Sequence, residues 1–181
     1  NSSATQWRVA FGTTTAPLPF FTARNASSQV QPITGGVSLG FNPADRKLWV
    51  FFGTGRYLAT SDLPIVETQS WYGLIDGSAQ IASRSDLAQR VILEEGSTED
   101  DDRYRIISKP GDTTGGSSMS GKKGWYLDLI SSEFGNEGER IIAKPVLSTT
   151  TIFINTLIPN SNPCDPGGDG WILGLNPFTG G

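Results

Sequence analysis

A chain of 181 residues with 22 glycines and 11 prolines is long enough to bury a good core as one domain, and nothing in it demands two. Its net charge is −4 and its 14 basic residues are scattered singly, so there is no basic stripe for phosphates or anionic lipid, which argues against nucleic acid as a partner. With no histidine, serine triads, Cys-His nucleophiles and zinc hydrolysis lack their base or ligand.

Gln6 to Thr13 alternates well enough for a strand, with Trp7, Val9 and Phe11 on one face. Prolines 17 and 19 and Phe20-Phe21 lead to Thr22-Ala23-Arg24, and Val30 to Phe41 reads as an inner strand interrupted at Gly35-Gly36. The stretch Lys47 to Gly73 organises the rest. Leu48 to Phe52 is an unbroken apolar, β-favouring run, the pattern of a strand buried on both faces. Gly53-Thr54-Gly55 ends it, Ser61-Asp62-Leu63-Pro64 breaks the connection, and Gln69 to Gly73 returns as a strand. Ser83 to Arg90 holds at most a turn or two of helix, and Arg90 to Leu93 reads as the outer strand that completes one blade-like unit.

Asp100-Asp101-Asp102 sit in an acidic run whose consecutive carboxylates point to opposite sides of an extended chain, unlike the alternating ligands of a calcium loop. A solvated loop is the better reading. Tyr104 to Ser108 and Gly124 to Leu129 look like strands joined by residues 109–123, a Gly/Ser/Thr-rich insert expected to be exposed and flexible. Glu139 to Ser148, Thr150 to Ile158 and Gly170 to Leu175 add three strands. The aromatic strands around Trp71, Trp125 and Trp171 are 54 and 46 residues apart, close to the roughly 40 to 50 residues of one propeller blade. Cys164 stands alone, which in a secreted chain implies a free thiol or a partner in another segment.

Three stretches resemble the C-terminal β-propeller domain of the PilY/PilC family of type IV pilus tip adhesins. They are FFGTGRYL with SD and TQSWYG, then GWYLDL leading into GER, then TLIPNSNPC with GWILGLNPFTG. The looser PLPFFTAR step is similar to a family Pro-Leu-Phe-x-Ala-Arg sequence, and Asn176 to Gly180 resembles the Asp-x-x-Thr-Gly turn of quinoprotein-like repeats. The expected fold is all-β: a partial β-propeller of quinoprotein-like, four-stranded antiparallel blades, with residues 1–181 supplying three to four incomplete blades of a larger ring. The resemblance implies a non-enzymatic structural and adhesion module of a pilus tip protein, exported to the bacterial surface, outer membrane or periplasm. Its partners would be the remainder of the propeller or another copy, minor pilins, and a host or abiotic surface. It implies calcium in many members, on a loop absent from these residues, so no cofactor or metal ligand is assigned within the chain.

Weighed against this are a quinoprotein-like dehydrogenase and a carbohydrate-binding propeller. A carboxylate pair for glycosidase-like chemistry remains possible in principle, with candidates such as Asp76 and Asp128, and turn aspartates at strand ends explain these better. Gly53 to Arg56 lacks the spacing and the helix of a phosphate loop. Trp7, Trp49, Trp71, Trp125 and Trp171 could stack sugars, but all lie in apolar strand patterns that favour core packing. No catalytic residue is assigned. No apolar run approaches the roughly 20 residues that cross a bilayer, so no transmembrane segment is expected, and NSSATQWRV lacks the pattern of a signal peptide.

Overall fold

The computed structural model describes residues 8–77, 79–160 and 168–181, so the readings of Trp7 and Cys164 lie outside the described residues. In chain order the strands are β1 (Ser38–Phe41), β2 (Leu48–Gly53), β3 (Ser70–Asp76), β4 (Ala88–Arg90), β5 (Ile92–Ser97), β6 (Arg103–Ile107) and β7 (Gly124–Asp128). They continue with β8 (Val146–Leu147), β9 (Ile152–Asn155), β10 (Ile158–Pro159), β11 (Gly168–Asp169) and β12 (Ile172–Leu175). The fold is all-β. The only helical pieces among the described residues are 3-10 turns at Thr60–Asp62 and Arg84–Asp86, the second capped by Ser83, whose side chain accepts from the Ser85 amide.

The main sheet has the order β1-β2-β3-β7-β4, antiparallel except for the parallel β4–β7 pair. Its strands are buried on both faces, as the run after Lys47 predicts. Trp49, Phe51, Trp71, Trp125 and Leu127 point into one core, which a second sheet ordered β12-β9-β8 covers with Ile152, Ile154, Leu173 and Leu175. Val50, Phe52, Tyr72, Leu74 and Tyr126 point into the other, closed by Phe20, Phe21, Ala23, Ile81 and Leu87. Each large apolar side chain so buried contributes roughly 1.5–3 kcal/mol, so the two faces of this sheet dominate the stability. At the β1 edge the second face is uncovered, and Leu39 and Phe41 are 60% and 70% exposed. The sheets do not close into a ring among the described residues.

Several strands fall elsewhere than the sequence implies. The position beside β3 belongs to β7, while Arg90 to Leu93 divides between β4 and a separate β5–β6 hairpin. The Trp71 and Trp125 strands are therefore partners in one sheet, with Gly73 facing Trp125, and not equivalent strands of successive blades. Gly73 permits this because a Cβ there would lie 2.5 Å from the Trp125 indole, which instead crosses the strand and meets Trp71 edge-on at 5.4 Å. Glu139 to Ser148 forms only the short β8 and an Arg140–Leu157 bridge, since Pro145 interrupts the ladder with no N–H to give. Of the early strand, only a Gly12–Pro17 bridge is present among the described residues. Val30 to Phe41 becomes β1 preceded by single bridges at Val30 and Ile33.

Residues 109–123, read from composition as a flexible insert, run as turns held from inside: Met119 packs on the main core, and Gly115 and Ser117 offer their carbonyls to Arg90. The turn Asn176 to Gly180 folds back over the same core. Trp125 Nε1 donates to Pro177 O at 2.8 Å, and Phe178 packs edge-on against Trp49. Gly180 has φ +77°, and a Cβ there would sit 2.5 Å from the Trp125 ring, so this position needs glycine on both counts.

Candidate functional site

Two surface features are built with more internal order than a loop requires. The first is the β2–β3 connection. Asp62, buried at its base, accepts from the Leu58 and Ala59 amides and pairs with Arg56 at 2.8 Å. Those backbone donors, ahead of the Arg56 charge, hold the Asp62 carboxyl below its ordinary value against the opposing effect of burial. From the other side Arg140, 3% exposed, donates to four carbonyls: Gly138 at 2.9 Å, Arg56 at 3.0 Å, Asp62 at 2.8 Å and Ile65 at 2.6 Å. Burial lowers the Arg140 pKa, and Asp62 opposes that shift. The result is a rigid loop presenting Tyr57, Leu58 and Val66 to solvent. The Gly53 to Arg56 step is no phosphate cradle, because the Thr54 and Gly55 amides are already bonded to Ser70 O and Pro32 O.

The second feature is a polar groove of about 640 Å³ between residues 19–28 and 80–89. Its floor carries Asp128, one of the two carboxylates singled out in the sequence. Arg84 Nη2 grips both Asp128 oxygens at 2.7 and 2.6 Å, its Nη1 donates to Arg24 O, and its guanidinium lies 3.9 Å over the Tyr126 ring. Ser70 Oγ donates to the same carboxylate at 2.5 Å, Gln31 donates to Ser70 Oγ, and Tyr72 donates to Gln31 Oε1 at 2.6 Å. Burial pushes the Tyr72 phenol up to about 12, with Arg84 opposing. Burial is the largest single influence on Arg84 and would depress its pKa, but the Asp128 carboxylate together with Tyr72 and Tyr126 reverses this and the pKa is raised.

Asp76 takes no part in this. Ser70 faces Asp128 and Asp76 lies six residues further along β3, so the two carboxylates are separated by about 20 Å at the strand rise of ~3.3 Å per residue. That is far outside the roughly 5–9.5 Å of glycosidase pairs. Asp100 to Asp102 form the exposed tip of the β5–β6 hairpin, closed by Thr98, and no group of described residues is arranged to hold a metal. Of the tryptophans, Trp49, Trp71 and Trp125 are core residues, whereas Trp171 is half-buried with the Arg103 and Arg105 guanidiniums each 4.3 Å from its ring.

Sequence reasoning missed the buried charges. Arg105 is buried between Glu95 and Glu139, with Nη1 2.9 and 3.0 Å from the Glu139 oxygens, and Ser131 donates to Glu95. Arg90 is fully buried and has no ion-pair partner among the described residues, its Nε bound to Thr179 O at 2.8 Å and Nη1 to Ser117 O at 2.9 Å. The available signal was position: Arg105 alternates with Tyr104 and Ile106, and Arg90 follows the inward Ala88 by two.

The chain is 37% identical over 98% of its length to a type IV pilus biogenesis factor PilY1 homolog of Xylella fastidiosa. It is 30% identical over 98% of its length to PilY1 of Pseudomonas aeruginosa. No protein-family model matches it. Its structure superposes on the crystal structure of the Pseudomonas aeruginosa PilY1 C-terminal domain with a TM-score of 0.73 and 25% identity, covering 90% of this chain. The chain belongs to the PilY/PilC family. Its open sheets are part of a β-propeller of that family's C-terminal type. The chain spans 14% and 16% of those two relatives and 35% of the solved domain. Within the family frame, the three resembling stretches acquire a physical meaning: Arg56 and Asp62 from the first and Arg140 from the second build a single braced loop, while the third closes the core over Trp125.

Proposed function

We propose that this chain is a non-enzymatic structural and attachment module of a type IV pilus biogenesis factor, exported to the cell surface and acting at the pilus tip. The observation that carries the reading is the similarity of 98% of this chain to part of PilY1-type biogenesis factors. Supporting it, the candidate carboxylates Asp76 and Asp128 lie far apart along adjacent strands, and Asp128 is occupied by Arg84 and Ser70. The chain supplies the sheet-stacking core, and the exposed Leu39 and Phe41 are where further blades of a larger propeller would pack. Among the described residues, no helix is long and apolar enough to cross a membrane. Minor pilins and a host or abiotic surface are the partners this reading implies.

The test is genetic. In a bacterium that makes this protein, deleting the region should lower surface piliation and attachment, counted by electron microscopy and adhesion assay, and the protein should co-purify with minor pilins. Normal piliation and attachment after deletion overturn the reading.

A further inference from the structure

We propose that the groove between residues 19–28 and 80–89 is a binding site for a carboxylated saccharide, with Arg24 receiving the carboxylate. The groove's volume of about 640 Å³ lies in the range of small-ligand clefts, but its lining is polar where most such clefts are apolar. Its exposed functions are planar amides, hydroxyls and a guanidinium. That is the set that hydrogen-bonds vicinal hydroxyls and carboxylates, and apolar anchors of the kind a peptide side chain seeks are few.

The charge pattern selects the acidic sugar. Arg84 and Asp128 neutralise each other, and Asp128 is further occupied by Ser70. Arg24 has no ion-pair partner among the described residues, and its one side-chain bond is to Ser28 O at 2.7 Å, so most of its N–H groups remain available. The groove thus carries one uncompensated positive charge. Gln89 is the outward residue of β4, directly across the ladder from Tyr126, and neither its carboxamide nor the Thr22 hydroxyl is hydrogen-bonded among the described residues. The Gln80 side-chain amide donates to Pro19 O, which leaves its side-chain Oε1 open, while its backbone carbonyl accepts from Lys123.

The floor is fixed in advance. Arg84 is pinned by Asp128, by Arg24 O and by the Tyr126 ring, and beneath it Ser70, Gln31 and Tyr72 are mutually bonded. A ligand therefore meets an ordered surface and loses little further entropy in arranging it. The inference extends the attachment reading, and its failure leaves the piliation test untouched.

Titration calorimetry of the full chain would use three probes: a galacturonate hexamer, a neutral hexose hexamer of equal length, and a hexa-aspartate peptide. The uronate should bind at least tenfold more tightly than either of the others, with an affinity that falls as salt rises. Arg24→Gln should weaken it about tenfold, as one lost charge-assisted contact implies, and Gln89→Glu should do the same by opposing the uronate charge. Both side chains are exposed, so unchanged thermal melting is expected and shows that the loss is local. Equal binding of the neutral hexamer or the peptide, no binding of the uronate, or full affinity in both variants overturns the proposal.

Discussion

Replacing Arg140 with Met separates the charge from the volume of the residue that braces the β2–β3 loop. Four carbonyls lose their donor, at 2.6 to 3.0 Å. The bonds to Arg56 O and Ile65 O are only partly buried, and water replaces Arg140 there at small net cost. The bonds to Gly138 O and Asp62 O are buried. An unsatisfied buried acceptor costs about 1–3 kcal/mol, and Asp62 O keeps only a long 3.4 Å bond from the Ile65 amide. The two together give a destabilisation of about 2–4 kcal/mol, partly relieved because the buried charge is gone. Urea unfolding measures the total, and hydrogen exchange locates it. The Leu58, Ala59 and Asp62 amides should lose protection while those of β3 keep theirs relative to global stability. Arg140→Lys should rescue little, because a single ammonium cannot span carbonyls fixed for a fork. A loss below about 1 kcal/mol, or unchanged exchange in residues 57–66, would refute the claim that Arg140 orders this loop.

Other outcomes follow from the same structure. Gly73→Ala places a methyl 2.5 Å from the Trp125 indole and should destabilise by roughly 1–3 kcal/mol, seen in chemical denaturation with loss of the near-ultraviolet tryptophan signal. Tyr72 should ionise near pH 12. Because its folded value is raised, its contribution to stability is intact below about pH 10 and is lost as pH climbs through 12, and Tyr72→Phe should delete that step from the absorbance titration. Asp62 has a lowered folded value, so its contribution is present above about pH 4 and is lost on acidification through the folded value; Asp62→Asn should flatten that part of the stability profile. Arg90→Met should speed tryptic cleavage after Lys122, because the carbonyls of Gly115, Ser117 and Thr179 are its hydrogen-bond acceptors; cleavage at the wild-type rate would show that the segment is ordered by other means.

The doubly buried strand was legible at Leu48 to Phe52 because both of its faces demand the same residue class, so burial is written in the strand itself. The partner of β3 was not. Trp71-Tyr72-Gly73 and Gly124-Trp125-Tyr126 are locally alike, and likeness at blade-like spacing reads as repetition. The ladder instead pairs them antiparallel, setting Gly73 across from Trp125 just as Gly53 is set across from Trp71. At Gly73 the glycine is thus a pairing signal, because the Trp125 indole needs room over the neighbouring backbone, whereas the space left at Gly53 is taken by Ile141.

The buried arginines were harder still to read, for a different reason. Arg90 and Arg140 occupy inward positions, yet among the described residues neither guanidinium is hydrogen-bonded to a carboxylate, because their N–H groups are met by backbone carbonyls, several of them from loops remote in sequence. A carbonyl has no residue identity, so such a cage leaves no trace in composition. What the sequence did hold was the wording of the loops themselves. Arg56, Asp62 and Arg140 belong to two stretches that read as separate strand patterns, and in the fold they form one hydrogen-bonded unit. Each string therefore specifies less than a strand and more than a turn. It supplies half of a contact whose other half lies roughly 80 residues away, which is why neither half explains its own wording until the two are seen together.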